Sequence, residues 1–193
     1  GTIAVSVALA AGERSRATGE EIICAVAMGY EAAGRIGQQI SPTFTEERAM
    51  HNCIISIFAG TVAAGKLLRL NQEQMTYAIA LSATSMGGLR ISTNNITREY
   101  HAGLSAMQAS NAVLAAKNGY QADEDLLEAK GGYFDTYGAN ADVDAVLLGL
   151  GDTWDIVTEM ALKLIPGVHG MHALVEAAIN AATAGSINPN DVE

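Results

Sequence analysis

Residues 18–37 read TGEEIICAVAMGYEAAGRIG and combine a helix start with a helical spacing of apolar side chains. Thr18 and Glu21 form a capping-box pattern, in which the hydroxyl and the carboxylate each accept a hydrogen bond from a backbone amide at the beginning of a helix. Apolar side chains then recur every three or four positions from Ile22 to Ile36, as they do along one face of a helix. The stretch predicts a long amphipathic helix.

Similar patterns on both sides of this stretch predict further helices, and an aromatic content of 5% disfavours a β-sandwich. We expect helices over 3–16, 46–70 (bent around Gly60), 71–88, 102–118, 123–130 and 168–184, with a loop over 89–100. The sequence therefore predicts an all-α, multi-helix, bundle-like domain, in which residues 155–164 fit one short strand as well as a helix.

Charge and composition argue against several classes of protein. Eleven Lys and Arg against 21 Asp and Glu give a net charge of -10 over 193 residues, so we expect neither a nucleic-acid nor an anionic membrane partner. No signal-peptide pattern opens the chain, and no apolar run reaches transmembrane length. Two cysteines, Cys24 and Cys53, are too few for a disulfide framework, which favours a reducing, cytoplasmic location.

The segment from Thr97 to His101 places a guanidinium and an imidazole where a helix is predicted to begin. Free amides at a helix N-terminus attract anions, and Arg98 would add a bidentate clamp for a carboxylate. His101 carries the side chain most often used as a general acid or base near neutral pH. A solvated helix start fits the same residues equally well.

Three more residues near the end of the chain suit the same chemistry. His169 and His172 are three positions apart on a predicted helix, with Glu176 four positions after His172. A pair of surface histidines fits this pattern better than a metal site, so we predict no metal. Lys163 is a lone lysine in an apolar run and reaches either the solvent or a site. Together these cations and Arg98 suit a small polycarboxylate, provided that they converge in one cleft.

Several segments, taken in order, resemble the MmgE/PrpD family. They are Gly29-Tyr30-Glu31 with Arg35-Ile36-Gly37, the Ala-rich run from His51 to Lys66-Leu67-Leu68, Tyr100-His101-Ala102-Gly103, and Lys163 to Pro166 followed by His172. No single motif is decisive, but the ordered set spans nearly the whole chain. The resemblance implies a large all-helical domain, a smaller α+β lid domain, a homodimer and no required metal or cofactor.

The resemblance also implies roles for individual residues. His51 and His101 match active-site histidines of the family, Lys163 matches a lysine of the cleft, and His172 matches the histidine that closes the Lys-x-x-Pro segment. Many members carry lysine at the position of Arg98, and an arginine there keeps anion binding but does not readily give up a proton.

The pattern near the end of the chain departs slightly from the family. Some members place a histidine two residues after the proline, where this chain has Val168, with His169 one residue later. We group His169 with Arg98 and His172 as substrate-binding residues, and His101, His51 and Lys163 as catalytic residues.

The function implied is that of a lyase, which would dehydrate or decarboxylate a small di- or tricarboxylate such as 2-methylcitrate. His101 would carry the proton to or from a carbon next to a carboxylate. Two alternatives stay open, an isomerase that epimerises an iminodisuccinate-like dicarboxylate and a helical interaction module without activity. The resemblance further implies that residues 1–193 form a helical segment of a longer protein, with an N-terminal catalytic segment and the lid outside it. We therefore expect the chain to be inactive alone.

Overall fold

The computed structural model describes residues 1–40, 52–85, 87–138, 140–167, 169–188 and 190, and not the side chains of Asn94 and His169. Its α-helices are α1 Thr2–Ser15, α2 Gly19–Ile40, α3 Cys53–Leu67, α4 Gln72–Ala83, α5 Thr97–Lys117, α6 Tyr133–Tyr137, α7 Asp155–Thr158 and α8 His172–Ala184. An isolated β-bridge joins Leu150 and Thr153, and the described residues contain no β-strand. The all-α prediction is confirmed.

The chain divides into two compact units, Gly1–Glu159 and Met160–Glu193. The first unit contains α1 to α7 and the hydrophobic core. The second unit contains α8, preceded by a short 3-10 turn over His169–Met171. None of the helices in the described part of the chain is long and apolar enough to cross a membrane.

Helix α3 is the centre of the first unit and packs against α1, α2, α4 and α5. Nearly all of its residues are buried, and Ile57 and Phe58 are fully so, as expected for a helix that is apolar on every side. The predicted bend around Gly60 is wrong, because α3 runs through this residue without interruption. Gly60 instead permits close packing, since an added Cβ would stand 3.0 Å from the Ala109 side chain.

The capping box predicted at Thr18 and Glu21 is present, and Asn71 and Gln74 form a second one. At the start of α2 the Thr18 amide donates to Glu21 Oε2 at 2.8 Å, and the Glu21 amide donates to Thr18 Oγ1 at 3.2 Å. At the start of α4 the Gln74 amide donates to Asn71 Oδ1 at 2.8 Å, and the Asn71 amide donates to Gln74 Oε1 at 3.1 Å. These bonds join residues three positions apart, so local sequence determines where both helices begin.

The predicted loop over 89–100 is partly wrong. Residues Arg90–Asn94 form a 3-10 turn, and α5 already begins at Thr97. The Asn95 side chain explains the earlier start, because its Oδ1 accepts a hydrogen bond from the Thr97 amide at 2.9 Å. An asparagine in this position satisfies an amide that the helix itself leaves without a partner.

The predicted helix over 123–130 is wrong, because this segment forms successive turns. The carbonyls of Leu126 and Leu127 accept hydrogen bonds from the amides of Tyr133 and Phe134, at 3.0 and 2.9 Å. These carbonyls therefore bind the first turn of α6 instead of continuing a helix of their own. Residues 155–164 contain the four-residue helix α7 and no strand, so the short-strand alternative is also wrong.

Candidate active site

Arg98 and His101 lie on the first two turns of α5. Arg98 Nε and Nη2 both lie 2.9 Å from Glu99 Oε1, and both side chains of this pair are about half exposed. His101 is half-buried, and its ring meets the exposed ring of Tyr100 edge-on with centroids 6.0 Å apart. Arg98, the predicted carboxylate-binding residue, therefore lies near His101, the predicted proton carrier, and forms an ion pair with Glu99.

The face of α5 that carries His101 turns inward. Residues four apart share one side of a helix, so His101, Ser105 and Ala109 are aligned. Ser105 and Ala109 are fully buried, and Ser105 Oγ donates a hydrogen bond to the backbone carbonyl of Cys53 at 3.3 Å. Cys53 is the first residue of α3, so the beginning of α3 lies against the third turn of α5.

The Cys53 thiol is also close to the start of α5. Burial and, to a lesser degree, the negative charge of Glu99 raise the pKa of this thiol to about 11. The thiol therefore stays protonated near neutral pH and is not a nucleophile there. Sequence reasoning assigned no role to Cys53 or to Ser105, because only the packing of α3 against α5 brings them near His101.

The other predicted site residues lie elsewhere in the chain. Lys163 is exposed in an irregular stretch of the second unit, and His172 is half-buried at the first position of α8. His169 opens the 3-10 turn before α8, and His51 lies outside the described residues. The structure brings Arg98 and His101 together, and their convergence with His51, Lys163 and His172 stays a prediction.

No grouping of three or more His, Cys, Asp or Glu side chains within the described ranges is arranged to hold a metal ion. His172 and Glu176 both belong to α8 but do not form such a group with a third side chain. The first two turns of α5 can supply acid–base transfer by His101 and carboxylate binding by Arg98.

A second polar cluster, centred on Arg35, was missed by sequence reasoning. Arg35 Nε donates to Glu31 Oε1 at 2.5 Å, and both side chains are more than nine-tenths buried. The rest of the guanidinium donates to three carbonyls, those of Val146 at 3.1 Å, Leu148 at 2.8 Å and Thr153 at 3.0 Å. An acidic and a basic residue four apart on the buried side of a helix were the available signal.

Asp155 completes this cluster at the start of α7. Its amide donates to Glu31 Oε2 at 2.7 Å, and its Oδ2 accepts from Gln38 Nε2 at 3.1 Å. Burial and the charge of Glu31 raise the pKa of Asp155, although the nearby Arg35 opposes the shift. The cluster fastens the segment 146–155, named here the strap, to α2. An apolar pocket of about 330 Å³ lies beside it, lined in part by Met28, Val62, Leu150 and Trp154.

Comparison with known proteins identifies relatives of this chain by sequence. The sequence model of the MmgE/PrpD N-terminal domain matches residues 1–145. Cis-aconitate decarboxylase of Aspergillus terreus is 28% identical over 172 residues, which cover 84% of this chain and 35% of that protein. The cis-aconitate decarboxylase-like protein oryM of Aspergillus oryzae is 25% identical over 174 residues, covering 85% of this chain and 36% of that protein. The chain thus spans about a third of the length of these relatives.

Proposed function

The chain belongs to the MmgE/PrpD family, and on that premise we propose that it forms part of a lyase acting on a small di- or tricarboxylate. The observation that carries the proposal is the placement of Arg98 and His101, three positions apart, on the first two turns of α5, in a chain whose relatives are named cis-aconitate decarboxylases. His51, Lys163, His169 and His172 are proposed to line the same cleft.

The chemistry of such a lyase requires a proton carrier and fixed cations. In a decarboxylation the bond from carbon to one carboxylate breaks, carbon dioxide leaves, and the electron pair retained by the substrate accepts a proton. In a dehydration a proton leaves the carbon next to a carboxylate and hydroxide leaves the adjacent carbon. Both reactions place negative charge on a substrate that is already anionic, so positioned cations stabilise the transition state.

The described residues suit these two tasks. His101 is only half-buried, so its imidazole can reach both a substrate and the solvent, with which it would exchange the proton. Arg98 offers a planar guanidinium that matches a carboxylate in shape and charge. Lys163 is exposed and cationic and would hold a second carboxylate of the same substrate.

For the substrate we propose a tricarboxylate of the cis-aconitate type in preference to 2-methylcitrate. Support comes from the relatives, because the names of three of them refer to cis-aconitate decarboxylation. At identities of 25–28% a family retains its chemistry more readily than its substrate, so 2-methylcitrate and citrate belong in the same experiment.

The experiment mixes the full-length gene product with cis-aconitate, 2-methylcitrate or citrate in deuterated water and follows the products by mass spectrometry. The products are transferred to ordinary water before weighing, so that only deuterium bound to carbon remains. A loss of 43 mass units then indicates decarboxylation, because carbon dioxide takes away 44 and the carbon gains one deuterium in place of a proton. A loss of 18 indicates dehydration, whereas deuterium uptake without either loss indicates an epimerase. We expect decarboxylation of cis-aconitate. The lyase proposal fails if none of the three substrates loses carbon dioxide or water.

A pair of variants connects the activity with the site. His101→Gln is expected to lower kcat by about 10²–10⁴-fold, the usual contribution of a general acid or base. Asn111→Ala, on an exposed position of the same helix, serves as the matched control and is expected to keep full activity. Equal activity of the two variants would remove His101 from the proposal.

A further inference from the structure

The hydroxyl of Ser105 bonds to a neighbouring helix, whereas several other helical hydroxyls bond within their own helix. Thr76, Ser110 and Thr183 each donate to the carbonyl four residues earlier in their own helix, the usual arrangement for such side chains. For Ser105 the corresponding carbonyl would be that of His101. Its Oγ instead donates across the helix interface to the carbonyl of Cys53 at 3.3 Å.

This bond lies where it can fix the orientation of His101. The first turn of a helix contains amides without helical partners and is the part that frays most readily. His101 is at the fifth position of α5, and Ser105 follows one turn later on the same side. Because Ser105 and Cys53 are both buried, solvent cannot easily replace the bond that joins them.

The neighbourhood of Cys53 supplies an independent sign of the same contact. The charge of Glu99, on the first turn of α5, acts on the Cys53 thiol at the start of α3. Glu99, two residues before His101, and Ser105, four residues after it, are therefore both close to Cys53 at the start of α3. The hydrogen bond from Ser105 is the directional element of this contact.

We propose that Ser105 is a positioning residue for His101, since its hydrogen bond to the Cys53 carbonyl fixes the rotation of the first turns of α5 against α3. The inference rests on the proposed function, in which His101 moves the proton. Loss of the bond lets the imidazole depart from the geometry in which proton transfer is efficient, and departures of this kind lower turnover more than binding.

The kinetic experiment compares Ser105→Ala with Ser110→Ala in the full-length gene product, using cis-aconitate. Both variants remove one hydroxyl from α5, but only the first removes a bond to another helix. We expect Ser105→Ala to lower kcat about tenfold with KM changed less than twofold, Ser110→Ala to change neither, and Ser105→Thr to restore most of kcat. Equal kcat values for the two alanine variants would overturn the proposal.

A second measurement does not depend on activity. Diethyl pyrocarbonate modifies neutral imidazoles, and peptide mass spectrometry reports the rate at His101. We expect this rate to change at least twofold in Ser105→Ala and to stay unchanged in Ser110→Ala, and equal rates in both would overturn the proposal. If the wild-type protein turns over no carboxylate, the proposed function fails while this rate still tests Ser105. Should Ser105→Ala not fold, Ser105→Cys, which keeps the volume and weakens the donor, takes its place.

Discussion

The guanidinium of Arg35 meets the carboxylate of Glu31 one turn earlier on α2, with Nε 2.5 Å from Oε1 and both side chains more than nine-tenths buried. A buried ion pair needs further hydrogen bonds to offset the loss of water around its charges. Here Arg35 donates to three strap carbonyls, and Glu31 accepts from the Asp155 amide. The pair therefore holds two distant parts of the chain together.

Removing one member of the pair should destabilise the protein strongly. Arg35→Met leaves the Glu31 carboxylate and three strap carbonyls without their cationic partner, and we expect a loss of about 3–5 kcal/mol in the free energy of unfolding. Urea denaturation measures this. Arg69→Met removes an arginine that pairs with Glu21 at 3.7 Å on the surface, and it should cost less than about 1 kcal/mol. Similar losses in the two variants would contradict the role assigned to Arg35.

Two glycines allow a matched test of helix packing. An added Cβ at Gly29 would stand 2.4 Å from the Ala59 carbonyl oxygen, so Gly29→Ala must push α2 away from α3 and should cost roughly 1–3 kcal/mol. At Gly103, an exposed position within α5, an added Cβ meets nothing within 4 Å. Gly103→Ala should therefore stabilise the protein by about 0.5–1 kcal/mol. Thermal unfolding distinguishes the two signs.

The two cysteines should differ widely in reactivity. Cys24 is exposed, whereas Cys53 is buried with a pKa of about 11, so roughly a thousandth of the Cys53 thiol is ionised at pH 8. We expect iodoacetamide to alkylate Cys24 in the folded protein and Cys53 only after denaturation, as read by peptide mass. Rapid labelling of Cys53 in the folded protein would show that α3 begins in a more open environment.

Asp155 should make stability depend on pH in a definite direction. Burial and the charge of Glu31 raise its pKa in the folded state, so the folded protein disfavours the ionised form. Below the pKa that Asp155 has in the unfolded chain, the carboxyl is neutral in both states and does not lower the free energy of unfolding. As the pH rises from that value through the higher pKa of the folded protein, the free energy of unfolding decreases. Asp155→Asn should thus be more stable than the wild type at pH 7, with the difference vanishing at about pH 3.

The same urea titrations at pH 3 and pH 7 supply the control for Asp155. Asp152→Asn changes an exposed carboxyl a few residues earlier and should leave stability within about 0.5 kcal/mol at both values. An Asp155→Asn variant that is less stable than the wild type at pH 7 would mean that the attraction between Asp155 and Arg35 outweighs the cost of burying the charge.

Glu99 should weaken substrate binding in the wild-type protein, because it pairs with Arg98. Glu99→Gln removes the competing carboxylate, and we expect KM for an anionic substrate to decrease roughly two- to fivefold with kcat unchanged. The same variant should lower the pKa of Cys53, which a titration of the ultraviolet absorbance of the thiolate in a Cys24→Ser background reports without any activity. Glu128→Gln, at an exposed position, is the control. An unchanged KM would contradict the role of Arg98 in substrate binding.

The sequence predicted those features whose partners are close along the chain. The starts of α2 and α4 follow from Thr18 with Glu21 and from Asn71 with Gln74, because a capping box joins residues three apart. The turns over 123–130 escaped prediction because their carbonyls bind amides seven residues later.

The same limit applies to the candidate site. Arg98 and His101 could be grouped from sequence because they are neighbours on one helix. The contact between Ser105 and Cys53 joins positions 52 residues apart, and no local pattern indicates it. The bonds of Arg35 to the strap span more than 110 residues, so the apolar spacing of α2 gave no sign of them.

The strap also determines where the helical unit is physically complete. The family match ends at residue 145, yet Val146, Leu148 and Thr153, which supply the carbonyls bound by Arg35, all come later. A chain that stopped at residue 145 would bury a guanidinium with Glu31 as its one remaining described partner. During synthesis the Glu31 carboxylate on α2 likewise gains its hydrogen bond from the Asp155 amide only after residue 155 has been made. The boundary drawn by sequence similarity and the boundary required by electrostatics are therefore different places in this protein.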